Sequence, residues 1–267
     1  MKKIWIIALN TFLEARRDRV LYSLLLFAVI MILSSLVFST ISAEQYNKIV
    51  KDFGLTAISL FGVLISIFLG TGLVYKEIEK KTIYNIFSKP LERYQFIIGK
   101  YFGLALTLFV ITLCMSVIVF LIVLYVEIPN SSFIKYYYQG HHFSEFFAAV
   151  YFQYLEFLII IGIAIVLSCF TSPVLAILLS FLLFAVGRFS ADIRLFAEEV
   201  KNPAVNYFSE IIYRVIPNLE KFNIRSEAVY GGDISFSLIF NITVYALIYT
   251  AVLVLLAILI FQKKEFK

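Results

Sequence analysis

Six stretches of this chain are apolar over lengths that suit a lipid bilayer, and no other feature restricts the possible folds as strongly. A hydrocarbon core of about 30 Å takes roughly 20 apolar residues wound as a helix. The stretches run at about Val20–Ile41, Gly54–Tyr75, Phe102–Val126, Phe146–Phe170, Pro173–Phe189 and Phe236–Phe261. The fifth is the shortest, and Thr171-Ser172-Pro173 joins it to the fourth too tightly for anything but an antiparallel hairpin. Composition agrees: 61% of the 267 residues are hydrophobic and only 15% are charged. A soluble chain would need far more polar surface to cover its core. The expectation is an all-α polytopic membrane protein with six transmembrane helices, forming one transmembrane domain over residues 1–267.

Charge placement orients the spans. Lys2, Lys3, Arg16, Arg17 and Arg19 precede the first, Lys76, Lys80, Lys81, Lys89, Arg93 and Lys100 lie between the second and third, and Lys263, Lys264 and Lys267 follow the last. The opposite short loops hold Lys48, Lys51 and Lys135. Basic loops stay in the cytoplasm, so both termini are expected there, in a multi-pass protein of the inner membrane. The first apolar run is interrupted by Asn10, Glu14 and Arg16-Arg17 before any cleavage-like site, so no secretory signal is read. Cys114 and Cys169 sit in apolar runs and read as small core residues, not a disulfide.

Outside the spans, residues 2–18 pattern as an amphipathic surface helix. Ile4, Trp5, Ala8, Leu9, Phe12 and Leu13 form its apolar face, and Asn10, Glu14, Arg17 and Asp18 the other. Trp5 beside Lys2 and Lys3 suits the headgroup layer; the alternative is a simple orientation signal. Between Lys76 and Lys100, Ile83, Ile86 and Phe87 make a short apolar edge on a charged helix. Pro90 disfavours helical geometry at Lys89, and Leu91, Tyr94 and Ile98 resume a helical pattern. Such an edge either docks a partner or rests as a charged loop on lipid headgroups. The segment Ser190–Ser235 carries helical spacing at Val205, Phe208, Ile211, Ile212 and Val215, stopped by Pro217-Asn218, and reads as one or two short helices on the outer mouth. Gly231-Gly232 then gives a turn.

Few residues are equipped for chemistry. His141 and His142 are the two histidines, adjacent in a short loop, so neither a metal site nor an intramembrane protease is expected. A phosphate-cradling loop needs Gly-x4-Gly-Lys-Ser/Thr. Gly99-Lys100 is the nearest approach, with Tyr94 in place of the leading Gly and Tyr101 in place of the hydroxyl residue. The chain is therefore not expected to be an enzyme or to hold a cofactor, and nothing marks a nucleic-acid partner.

Inside the spans, Glu156 is the acidic residue near the middle of the fourth. A carboxylate at that depth is either functional or satisfied structurally. Glu156 lies fourteen residues before Phe170, about 21 Å from the turn, and Arg188 sixteen residues after Ser172, about 24 Å. The two are therefore candidates for an ion pair; otherwise Arg188 snorkels to headgroups and Glu156 is protonated or faces a pathway. Gly62, Ser66 and Gly70 form a small-residue face on the second span, for packing within the subunit or for a subunit or gate interface.

Order and spacing then carry a resemblance. Glu77–Thr82 (Glu-Ile-Glu-Lys-Lys-Thr), Ser88-Lys89-Pro90-Leu91, Arg93 and Gly99-Lys100 resemble the pattern of permease subunits of type-2 ATP-binding-cassette (ABC) exporters. The flat N-terminal helix, six spans, Ile216-Pro217-Asn218-Leu219 before the last span and the tail Lys263–Phe266 match as well. The resemblance implies that Lys76–Arg93 is a short cytoplasmic coupling helix, with Glu77, Glu79, Lys81, Thr82, Ile83, Ile86, Phe87, Pro90 and Arg93 meeting the ATPase. It implies a stand-alone membrane subunit driven by a separate ABC ATPase that carries ATP and Mg, and a second permease copy or paralogue. Membrane lipid is the remaining partner. A non-transporting assembly or scaffold subunit that docks other proteins is the alternative function.

Overall fold

The computed structural model describes residues 2–41, 46–79, 92–127, 143–200, 203–232 and 234–263. Helices dominate, and no strand occurs among the described residues. In chain order they are α1 (Lys2–Ala15), α2 (Arg19–Ile41), α3 (Tyr46–Glu79), α4 (Arg93–Glu127), α5 (Phe143–Ser168), α6 (Pro173–Arg188), α7 (Ser190–Val200), α8 (Pro203–Val215), α9 (Arg225–Tyr230) and α10 (Phe236–Lys263), with a 3-10 turn at Glu220–Phe222. The apolar runs form helices because an apolar medium leaves the backbone only its own hydrogen bonds. Their ends fall where sequence punctuation demands: Pro173 opens α6 behind Ser172, and Gly231, at φ 82°, caps α9 in the left-handed region.

Five helices, α2, α3, α4, α5 and α10, are each long and apolar enough to cross a membrane. The sixth crossing differs from the expected straight span at Pro173–Phe189. α6 has 16 residues, about 24 Å of rise, and joins α7 at a bend of 59°. Only as a bent pair do they reach spanning length. Conversely, α3 has 34 residues and α4 has 35, about 51 and 52 Å of helix, so both overrun a hydrocarbon core of about 30 Å.

α3 and α5 form the centre of the bundle. α4 packs across both, α2 lies on α3, α10 on α5, and α6 fits against α3 and α5. The small face of α3 is spent inside the subunit. A methyl group at Gly62 would overlap the Phe157 ring, and one at Gly70 would come within 2.7 Å of the Ala164 Cβ. Ser66, fully buried, donates to the Gly62 carbonyl at 2.6 Å. These absences of side chain let α3 and α5 approach closely, the usual basis of helix association where lipid offers no hydrophobic drive. Tyr101 and Tyr154 stitch α4 to α5 by donating to the carbonyls of Leu158 and Ala105 at 3.2 and 3.3 Å.

α1, the start of α4 and the end of α10 lie together at one end, termed here the basic end. α1 is seated on the foot of α4, where Gly99 and Gly103 admit it: an added Cβ would come within 2.7 Å of Ile7 and 2.5 Å of the Ala8 carbonyl. Ala8, Thr11 and Ala15 are buried there, while Trp5, Leu9 and Leu13 face outward. Of the expected apolar face, Ala8 is thus packed on α4 while Trp5, Leu9 and Leu13 stay outward, because close packing on two glycines selects small residues rather than the largest ones. Glu14, placed on the polar face by pattern, pairs with the buried Lys100 at 3.1 Å. Cys169 is buried as expected of a core residue, but Cys114 is exposed on the outer surface of α4.

A polar clasp at the far end of the bundle

At the end opposite α1, the segment following α8 folds back onto the spans. Leu219 N–H donates to the Gly187 carbonyl at 3.0 Å, and the absence of a side chain at Gly187 leaves room for the Pro217 carbonyl and the Leu219 side chain. Asn218 N–H donates to the Tyr245 hydroxyl of α10 at 2.8 Å, and the Lys221 ammonium stands 4.6 Å from the centre of that ring. The segment expected from its motif Ile216–Leu219 therefore touches α6 and α10 directly. Its neighbour α9 packs on α3 and α5.

Arg188 organises this region. It is the last residue of α6, so its side chain reaches beyond the helix into the returning segment. Its Nη1 donates to Glu156 Oε1 at 3.1 Å and to the Leu219 carbonyl at 3.2 Å, and its Nε stands 3.5 Å from Glu220 Oε2. One guanidinium thus holds a carboxylate of α5, a carboxylate of the returning segment and a backbone carbonyl, as its forked donor set permits. Glu156 is buried, with 1% of its side chain accessible against 22% for Arg188. Its other oxygen, Oε2, has no hydrogen-bond partner, nor does Gln153 Oε1 one turn earlier, although the Gln153 amide donates to the Leu55 carbonyl at 3.1 Å. A second guanidinium repeats the arrangement on α3: Arg225 Nε lies 3.1 Å from Asp52, and its Nη1 is 2.5 Å from the Thr56 hydroxyl. Ser59, Gln153, Arg188, Asn223 and Arg225 line a cavity of about 10 Å³ between the two. That is room for about one water, too little for any cargo molecule.

The arrangement can do mechanical rather than covalent work. Two arginines and a tyrosine tie residues 216–225 to α3, α5, α6 and α10, so movement of α3, α5 or α6 against this segment works against charge-assisted bonds, and movement of α10 against a neutral one. Among the described residues no three His, Cys, Asp or Glu side chains are grouped to hold a metal ion. His141 and His142 lie outside the described residues.

The expected coupling residues are only partly described. Lys81, Thr82, Ile83, Ile86, Phe87 and Pro90 lie outside the described residues, and Glu77 and Glu79 are in the last turns of α3. Arg93 is turned to α10, donating through Nη1 to the carbonyls of Gln262 at 2.7 Å and Phe261 at 3.4 Å. A cation there satisfies carbonyls that a helix end leaves unpaired and complements its dipole. Glu220, the Leu219 carbonyl, Asp52 and Arg225 were not singled out from sequence. The one available signal was the Ile216–Leu219 motif, which marks the segment but not its partners.

No curated protein matches the chain. A family model described as ABC-2 family transporter protein matches residues 5–266. The match takes in every span, the seat of α1 and the far-end clasp, and the chain belongs to that family, as a multi-pass permease subunit of an ABC transporter.

Proposed function

We propose that this permease works as an exporter, with its basic end in the cytoplasm of an inner-membrane topology and a separate ATPase supplying the ATP and Mg. Two membrane halves, as a homodimer or with a paralogous permease, enclose the pathway. The observation that carries the reading is the family match over residues 5–266, joined to the overlong α3 and α4. Those helices bracket residues 80–91, so they are the levers through which an ATPase seated on Glu77, Glu79, Lys81, Thr82, Ile83, Ile86, Phe87 and Pro90 moves the centre of the bundle. The far end of α3 meets the clasp through Asp52 and Thr56, and in the clasp Glu156 and Arg188 act as a polar lock.

Changing Ile83 and Phe87 together to Asp puts charge into an apolar contact and should dissociate or uncouple the ATPase while the spans stay folded. Co-purification of the partner ATPase, with its hydrolysis rate in proteoliposomes, reads the result. Unchanged association and unchanged hydrolysis would remove the coupling role.

A further inference from the structure

We infer that the clasp binds a proton: Glu156 takes it up on Oε2 from the far-end solvent when Arg188 lets go, and α5 is then freed from α6 and the returning segment. The charges of the clasp do not balance. Three carboxylates, Asp52, Glu156 and Glu220, meet two guanidiniums. Arg225 is matched by Asp52 at 3.1 Å, so Arg188 serves two acids, Glu156 at 3.1 Å and Glu220 at 3.5 Å. Glu220 is partly exposed and also accepts from the Asn223 amide at 2.9 Å. Glu156 is buried and, among the described residues, accepts from Arg188 alone. The other titratable groups of the surrounding elements are engaged or distant. Lys221 stands over the Tyr245 ring, the Tyr245 hydroxyl accepts from Asn218, and Glu227 of α9 accepts from Ser226. Tyr101 of α4 and Tyr154 are turned to backbone carbonyls. Glu145 lies eleven residues before Glu156, and Lys51 of α3 eleven before Gly62, which abuts Phe157; each is about 16 Å away along its helix.

Two buried acceptors also lack donors here, and one proton serves both. Glu156 Oε2 and Gln153 Oε1 have no hydrogen-bond partner. They stand at i+3 and i on α5, neighbours on one face of the helix. The Gln153 amide nitrogen donates to the Leu55 carbonyl at 3.1 Å, which fixes the remaining atom of that side chain as an acceptor. A proton on Oε2 supplies the O–H that Gln153 Oε1 lacks and cancels the excess charge. Gln153 also lines the cavity between Arg188 and the partly exposed Arg225, with room for about one water, so the proton arrives from the far end. A buried carboxylate that loses its cation neutralises instead of staying charged. Parting Arg188 from Glu156 therefore draws the proton in. Arg188 keeps Glu220 and the Leu219 carbonyl, both on the returning segment, and only its tie to α5 is cut. Acid thus favours the freed α5, and alkali the closed clasp. The inference deepens the polar lock proposed above and rests on it only for when the pair parts. The variants below part it chemically, so the proton site is tested whether or not the lock serves transport.

The full-length chain carrying Arg188→Met is purified in one detergent, and infrared spectroscopy follows the carboxylic-acid C=O stretch. The pH runs from about 8.5 to about 5.5, a range in which ordinary exposed carboxylates stay ionised. One protonated carboxyl should appear as the pH falls, and adding Glu156→Gln should abolish it. Adding Gln153→Leu instead should keep the band but move it to the higher frequency of a carboxyl without an acceptor. The loss of Tm caused by Arg188→Met should shrink by about half between the same limits, because the folded variant then binds a proton that its unfolded chain does not. In a Glu156→Gln background that loss should not vary with pH. Arg188→Gln, which keeps donors without the charge, repeats the test where Arg188→Met does not fold. No carboxylic-acid band at the acid limit, or a band that survives Glu156→Gln, overturns the inference. A loss of Tm independent of pH would mean that water serves both acceptors and Glu156 keeps its charge, and overturns it equally.

Discussion

Arg188 is worth more to this molecule than its share of any single contact. It faces a carboxylate that is 1% accessible, and removing one partner of such a pair leaves an uncompensated charge away from water. Arg188→Ala is expected to cost about 3–5 kcal/mol, whereas replacing the pair together, Glu156→Leu with Arg188→Met, is expected to cost far less. Thermal unfolding of the purified chain in one detergent measures both. A double variant as unstable as Arg188→Ala would show that Glu220 and the Leu219 carbonyl, not Glu156, are what Arg188 holds. The pairing was partly legible in the sequence, since counting residues from the Thr171–Pro173 turn places Glu156 and Arg188 at like depth, and their charged atoms lie 3.1 Å apart. The rest of the clasp was not legible. Leu219 presents a backbone carbonyl, which no residue type advertises, and Asp52 with Arg225 are 173 positions apart in the chain. Their meeting depends on how a long connection folds back, and periodicity within one element carries no information about that.

Among the elements, α1 shows how packing divides an amphipathic face. Its pattern groups Ala8 with Trp5, Leu9 and Leu13, yet Ala8 is buried on α4 while the three large side chains stay exposed. In a membrane protein lipid receives those side chains equally well, and the protein interior takes the small ones that allow close approach. The same indifference of lipid to side-chain size explains why the spans themselves were readable while their inward faces were not: apolar length fixes a crossing, but every face of such a helix is apolar. Gly103 decides the seating of α1, with the Ala8 carbonyl and Thr11 crowded against it. Gly103→Leu should therefore displace α1, at a cost of roughly 1–3 kcal/mol, and open the Arg16–Arg19 connection to trypsin. Unaltered cleavage rates at Arg16, Arg17 and Arg19 would mean that α1 is held by Lys100 and Glu14 alone. The proposed coupling segment between α3 and α4 rests on a motif, Pro90 and the Ile83, Ile86, Phe87 edge, and its residues 80–91 lie outside those the structure describes.

For the molecule as a whole, the proposed topology is tested with single cysteines. Asn218 would be a natural site for a far-end label, but it is 7% accessible, so Ser226, exposed on α9, replaces it. In a background carrying Cys114→Ser and Cys169→Ala, cysteines at Lys80 and at Ser226 should react with a membrane-impermeant maleimide from opposite sides of sealed vesicles. Labelling of both from one side would refute the orientation. A last consequence follows from the shortness of α6. Beside that helix the apolar height is about 6 Å less than an average hydrocarbon core, whereas α3 and α4 exceed it. Acyl chains on this flank must compress or tilt to meet it, at a cost of fractions of a kcal/mol for each ångström. A bilayer matched to α6 alone, without the bent α7, is thinned along this side, and the protein should then be more stable among short-chain lipids than long ones. A molecule leaving the bundle at this flank has the least hydrocarbon to cross.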